Sequence, residues 1–115
     1  MSVNNLTKIS VLGSTGSVGE QALDVAARFG FTVNSLSANK NSSRVEAQAR
    51  RFNVKAVAMA DENAAKDLKV RLADTKVKVY SGNNGICEMI SNDSAETIVN
   101  SIIGEAGLLP SLEII

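Results

Sequence analysis

Three glycines, Gly13, Gly16 and Gly19, punctuate the stretch "KISVLGSTGSVGEQALDV", between an apolar run and a longer segment with helical spacing. Each has a task that chemistry can name. A glycine takes backbone angles denied to other residues in a tight turn, lets the main chain approach a diphosphate because it has no Cβ, or lets a helix pack closely on a strand. The free N–H groups that open a helix, aided by its dipole, then receive the negative charge. Ser14, Thr15 and Ser17 bring hydroxyl donors to the same turn. A glycine turn by itself is also a common structural device. Its place directly after a strand-like run and at the opening of a helix points to dinucleotide binding, and no Gly-Lys-Ser/Thr follows to make it a Walker loop.

A second polar group lies one strand further on. Dinucleotide sites that prefer NAD carry an Asp or Glu roughly 20 residues past the glycines, where it accepts from the ribose 2′-hydroxyl. No acid occurs between Asp24 and Glu46. At the expected place stand Asn39, Lys40, Asn41, Ser42, Ser43 and Arg44, donors and cations suited to a 2′-phosphate. The expected cofactor is therefore NADPH, with Lys40 its principal phosphate reader. The plainer reading of "NKNSSR" is a polar loop that caps a helix.

Other chemistries are excluded or unsupported. Histidine is absent from the 115 residues, which removes Ser-His-Asp and Cys-His nucleophiles and every zinc site that uses histidine. The single cysteine, Cys87 in "GICEMI", cannot form an internal disulfide and is expected to be a buried small side chain, not a nucleophile. Asp61, Glu62, Asp67 and Asp74 have the spacing of a solvated helix and its N-terminal end, so no residue is assigned to a metal or to catalysis. Twelve Lys and Arg balance twelve Asp and Glu, so there is no electrostatic footprint for nucleic acid or an anionic membrane. No apolar run approaches the roughly 18 to 20 residues that cross a bilayer, and nothing near Met1 has the charged, apolar and cleavage segments expected of a signal peptide. A reducing cytoplasm is the expected location.

The elements that must position these loops alternate along the chain. Lys8 to Leu12 reads as a buried strand, and Val18, Ala22, Val25, Ala26 and Phe29 recur at helical spacing up to a C-terminal cap at Gly30. Phe31 to Ala38 is the next strand. Ser43 and Glu46 form a capping box for a helix to about Phe52. "VKAVAMA", "ENAAKDLKVRLAD", "VKVYS" and "NGICEMIS" then alternate strand and helix, and "AETIVNSIIG" is a last β-branched run before "EAGLLPSLEII", which resembles the start of another helix. Largely apolar strands alternating with helices imply an α/β fold, Rossmann-like and doubly wound, with a mainly parallel sheet and helices on both faces. Residues 1–115 read as one such domain, and "LEII" breaks off in mid-pattern, as expected of a piece of a longer protein.

With both loops in place, the sequence resembles the N-terminal domain of the 1-deoxy-D-xylulose-5-phosphate reductoisomerases, NADPH-dependent enzymes of non-mevalonate isoprenoid synthesis. The carriers are "ISVLGSTGSVGEQALDV", the "LSANKNSS" loop and "NSIIGEAGLLPSL". The resemblance implies that Thr15, Gly16, Ser17 and Val18 contact the cofactor diphosphate, and that Asn39, Lys40 and Asn41 meet its 2′-phosphate end. It also implies that Gly104 to Leu108 lie near the nicotinamide. A divalent metal, Mg²⁺ or Mn²⁺, a catalytic domain that binds the sugar phosphate, and a homodimer of the full-length chain are further implications. The family's substrate-binding Lys and neighbouring Glu follow the next strand and are not reached. This chain alone is accordingly expected to be inactive. Two other readings fit the loops: the NADP-binding domain of another reductase, such as the semialdehyde dehydrogenase group, and a nucleotide-sensing interaction module.

Overall fold

The computed structural model describes residues 7–93, 95 and 97–100. The first strand, β1 (Lys8–Leu12), runs through the glycine turn into α1 (Ser17–Phe29), and β2 (Thr32–Ala38) returns beside it. Three further units follow: α2 (Ser42–Phe52) with β3 (Ala56–Met59), α3 (Glu62–Arg71) with β4 (Lys78–Ser81), and α4 (Gly82–Ser91) with β5 (Thr97–Asn100).

All four strand pairings are parallel, in the order β4-β3-β2-β1-β5. From β1 to β4 each new strand is added on the same side. The connection through α4 then reverses direction and places β5 on the far side of β1. Right-handed crossovers put the helices of the two directions on opposite faces. Alternation along the strands shows the result as two cores. Val57 and Met59 join Ile9, Val11 and Val33 beneath Leu23 and Ala26 of α1, Val45 and Ala49 of α2, and Leu68 of α3. Ala58, between Val57 and Met59, turns the other way with Leu12 and Tyr80 toward Met89 of α4. The fold is thus the expected α/β, doubly wound parallel sheet with helices on both faces.

On the α4 side β1 and β2 also carry polar residues. The Asp93 carboxylate, just beyond α4, accepts from Ser10 Oγ at 2.5 Å, from Ser35 Oγ at 2.7 Å and from the Asn34 side-chain amide. Buried hydroxyls need such partners, so this one carboxylate ties the loop before β5 to the two central strands.

Three expectations are corrected. The larger apolar residues of α1 do not form its core face: Val18, Val25 and Phe29 are exposed, while Gly19, Leu23 and Ala26 are buried. A glycine on the packing face draws the helix against the sheet, and bulkier side chains are displaced to its flank. Phe29 instead stacks on Phe31, with ring centroids 6.0 Å apart. Second, α2 is capped by Asn41, whose side chain accepts from the Arg44 N–H, and not by Ser43. Glu46 pairs with Arg50 and Arg71 in place of a capping box. Third, Cys87 is exposed, because α4 turns Gly85 and Met89 to the core. Among the described residues no helix is long and apolar enough to cross a membrane. The stretch 101–115, with the expected Gly104–Leu108 site and the final helix, lies outside the described residues.

Candidate functional site

In open parallel sheets ligands bind outside the carboxyl ends of the strands, where the strand order reverses. Here the reversal falls between β1 and β5, and Leu12 and Asn100 are paired at their carboxyl ends. The glycine turn leaves β1 at this point.

Its backbone is held from three sides. Gly13 has φ of 80°, a left-handed conformation that favours glycine. Its N–H and that of Ser14 both donate to the Ser37 carbonyl of β2 at 2.8 Å, and the Gly16 N–H donates back to the Gly13 carbonyl at 3.1 Å. Gly19 closes the turn: a Cβ there would meet the Gly13 carbonyl oxygen at 2.1 Å. Gly16 differs, since a Cβ on it would find its nearest neighbour at 3.6 Å. Gly16 itself is exposed, so a side chain there meets only ordinary contact.

The N-cap of α1 is Gly16, which brings no capping side chain, whereas Asn41 and Asp61 cap α2 and α3 with theirs. Of the other helices, α4 also lacks a side-chain cap at Ser81. An uncapped first turn of α1 has N–H groups and a positive dipole end to offer an anion. Ser17 and Val18 are exposed and Thr15 is half-buried beside it. Ser14, expected to add a hydroxyl to the cradle, is instead fully buried, and its Oγ donates to Gln48 of α2 at 2.7 Å.

The second loop follows β2 at the same end of the sheet. Asn39 and Lys40 are exposed, while their carbonyls accept from Asp61 N at 3.0 Å and Ser42 N at 2.8 Å. The backbone is therefore fixed and the side chains face solvent. Asn41 Oδ1 serves the cap, accepting from Arg44 N at 3.2 Å and Ser43 Oγ at 3.3 Å. Arg44 is paired with Glu20 of α1. The structure brings both predicted groups to the carboxyl edge of the sheet, on neighbouring strands, with no acid in the second loop.

Sequence reasoning passed over Ser37 and Gln48. Ser37 acts chiefly through its carbonyl, which any residue has, and its Oγ adds only a longer bond from the Gly13 N–H at 3.2 Å. Gln48 did have one: it stands three residues past Val45 and beside Ala49, a polar residue at the edge of the apolar stripe of α2.

Glu46 of α2, Asp67 of α3 and Asp74 just beyond it lie elsewhere, in an ion-pair network. Arg50 grips Asp74 with two hydrogen bonds, at 2.8 and 3.1 Å, and Arg71 reaches Asp67 at 2.7 Å. Hydrogen bonds from Ser42 and then Arg71 hold the Asp67 carboxyl below its usual range, and the bond from Arg50 does the same for Asp74. Among the described residues no three His, Cys, Asp or Glu side chains gather as a metal would require.

Residues 9–115 match the 1-deoxy-D-xylulose 5-phosphate reductoisomerase family. The relative from Campylobacter hominis bearing that name is 41% identical over 104 residues, which cover 90% of this chain and 27% of the relative. One from Agathobacter rectalis is 41% identical over 108 residues, covering 93% and 28%. Among solved structures, the reductoisomerase from Zymomonas mobilis in complex with NADPH is 34% identical with a TM-score of 0.68, over 72% of this chain and 22% of that one. A DOX-P reductoisomerase with magnesium superposes with a TM-score of 0.75 at 21% identity, a likeness of fold alone. This chain spans well under a third of the length of the curated relatives it matches. It belongs to the 1-deoxy-D-xylulose 5-phosphate reductoisomerase family.

Proposed function

We propose that residues 1–115 form the NADPH-binding domain of an enzyme that rearranges and reduces 1-deoxy-D-xylulose 5-phosphate to 2-C-methyl-D-erythritol 4-phosphate in non-mevalonate isoprenoid synthesis. The observation that carries this reading is the uncapped N-terminus of α1, opened by a rigid glycine turn beside the β1/β5 reversal. A dinucleotide diphosphate fits there, since the N–H groups of the first turn supply donors and Gly16 is exposed. Thr15, Gly16, Ser17 and Val18 hold the diphosphate, and Gly13 and Gly19 shape the turn. Asn39, Lys40 and Asn41 receive the 2′-phosphate, where an NAD-preferring site would present an acid.

The nicotinamide supplies hydride when bound; the role of this chain is to hold and orient it. On this reading the catalytic acids and a divalent metal, Mg²⁺ or Mn²⁺, belong to a separate catalytic domain, and residues 1–115 bind cofactor without turning substrate over. The same reading favours a homodimer of the full-length enzyme. An exposed, unpaired Cys87 fits a reducing cytoplasm. The test is a chimera that joins this chain to the remainder of the Campylobacter hominis relative. NADPH-dependent reduction of the sugar phosphate by the folded chimera supports the assignment. A folded chimera that neither binds NADPH nor reduces the substrate contradicts it.

A further inference from the structure

We infer that Gln48 is a positioning residue, which sets the glycine turn from α2 and ties the two halves of the cofactor site into one body. The inference rests on the NADPH reading only for its consequence in binding. Its geometric basis is the complete satisfaction of Ser14, which is fully buried. The Ser14 N–H donates to the Ser37 carbonyl at 2.8 Å, its Oγ donates to Gln48 Oε1 at 2.7 Å, and its carbonyl accepts from Gln48 Nε2 at 3.0 Å. A primary amide is the group that accepts and donates in this pairwise way, so neither Glu nor Leu reproduces both bonds.

Gln48 sits on the helix that Asn41 caps, two turns from the second loop. Four residues before it, Arg44 pairs with Glu20 in the first turn of α1. One row of α2 thus grips both the turn and the helix it opens. Because Asn41, the residue after Lys40, is the N-cap of α2, any shift of the helix axis moves the diphosphate cradle and the 2′-phosphate loop together. Neither loop is independent of the other.

Amide hydrogen exchange on the 115-residue chain tests this without ligand, comparing wild type with Gln48→Leu and Gln48→Glu. In Gln48→Leu the Gly13, Ser14 and Gly16 amides should exchange about tenfold faster, as the loss of paired buried hydrogen bonds implies, with the Leu68 amide of α3 unchanged. Gln48→Glu keeps the acceptor for Ser14 Oγ but sets a second acceptor against the Ser14 carbonyl, so it too should exchange faster than wild type. Phosphorus NMR of added NADPH gives the second readout: the diphosphate resonances move in Gln48→Leu and the 2′-phosphate resonance broadens as α2 loosens. Wild-type exchange rates at Gly13, Ser14 and Gly16 in Gln48→Leu would overturn the inference, whatever NADPH does. If the turn loosens but even the wild-type chain leaves the NADPH resonances unmoved, the hold of Gln48 on the turn stands and the cofactor reading falls.

Discussion

Gly19 lies so close to Gly13 that a Cβ on it would stand 2.1 Å from the Gly13 carbonyl oxygen and 2.8 Å from the Ser14 Cα. Both obstacles are backbone, so nothing flexible can give way. Gly19→Ala must push α1 off the turn, at a cost of about 1–3 kcal/mol or more. Gly16→Ala meets nothing nearer than 3.6 Å and retains an allowed conformation, with φ of −82° and ψ of 171°. Urea unfolding should show a clear loss of stability for the first variant and a smaller one, up to about 1 kcal/mol, for the second, where alanine is the poorer N-cap of α1. NADPH binding should fall in both, in Gly16→Ala because the methyl group occupies the surface proposed to meet the diphosphate.

Lys40 is exposed on a loop whose backbone is already hydrogen-bonded, so Lys40→Ala removes a charge without disturbing the fold. A charge-assisted contact to phosphate is worth about 1.5–3 kcal/mol, which makes the expected loss of NADPH affinity about tenfold or more. NADH, lacking the 2′-phosphate, should bind the variant and the wild type alike. Paired titrations check this, and an unchanged ratio of the two affinities would remove Lys40 from the site.

The network between α2 and α3 predicts a pH dependence. Asp67 and Asp74 titrate below their usual range in the folded chain, chiefly through hydrogen bonds from Ser42 and Arg50 respectively. The unfolded chain therefore binds protons first as pH falls. The stabilisation is complete above the ordinary aspartate range near 4 and is lost as pH drops through the lowered folded values. Both carboxylates are on the surface, so the effect should be small and weaker in high salt. Urea midpoints measured from pH 7 to pH 2 should fall less steeply in Asp74→Asn than in wild type.

Cys87 is exposed on α4, and α4 packs on the face opposite α1. A maleimide should label it in the native state at the rate of a free thiol, leaving NADPH affinity unchanged. Protection until unfolding would contradict the orientation of α4.

The strand-helix alternation was legible because strands covered on both faces must be apolar nearly throughout; β1 was read with the bounds Lys8–Leu12 that the structure has. Helix orientation was less legible. The spacing of Val18, Ala22, Val25, Ala26 and Phe29 showed a helix but not which way it faces: Ala22 and Ala26 meet the core, while close packing at Gly19 leaves Val18, Val25 and Phe29 exposed. The cap of α2 moved from Ser43 to Asn41 because several adjacent residues can cap and only the path of the chain out of β2 selects among them. Cys87 was misplaced for a similar reason, since the "GICEMI" stretch offers apolar residues on more than one side. Both loops of the candidate site were visible as glycines and as an absence of acids. What fixes them was not: a Ser37 carbonyl and a Gln48 amide come into place only through the parallel pairing of β1 with β2 and the docking of α2.

The most direct measurement is a calorimetric titration of this chain with NADPH, with NADH as the paired control. The account predicts saturable NADPH binding, at least about tenfold tighter than NADH because a 2′-phosphate contact is added. Equal affinity for the two would contradict the role given to Asn39, Lys40 and Asn41. Binding of neither to the folded chain would contradict the account of the glycine turn itself.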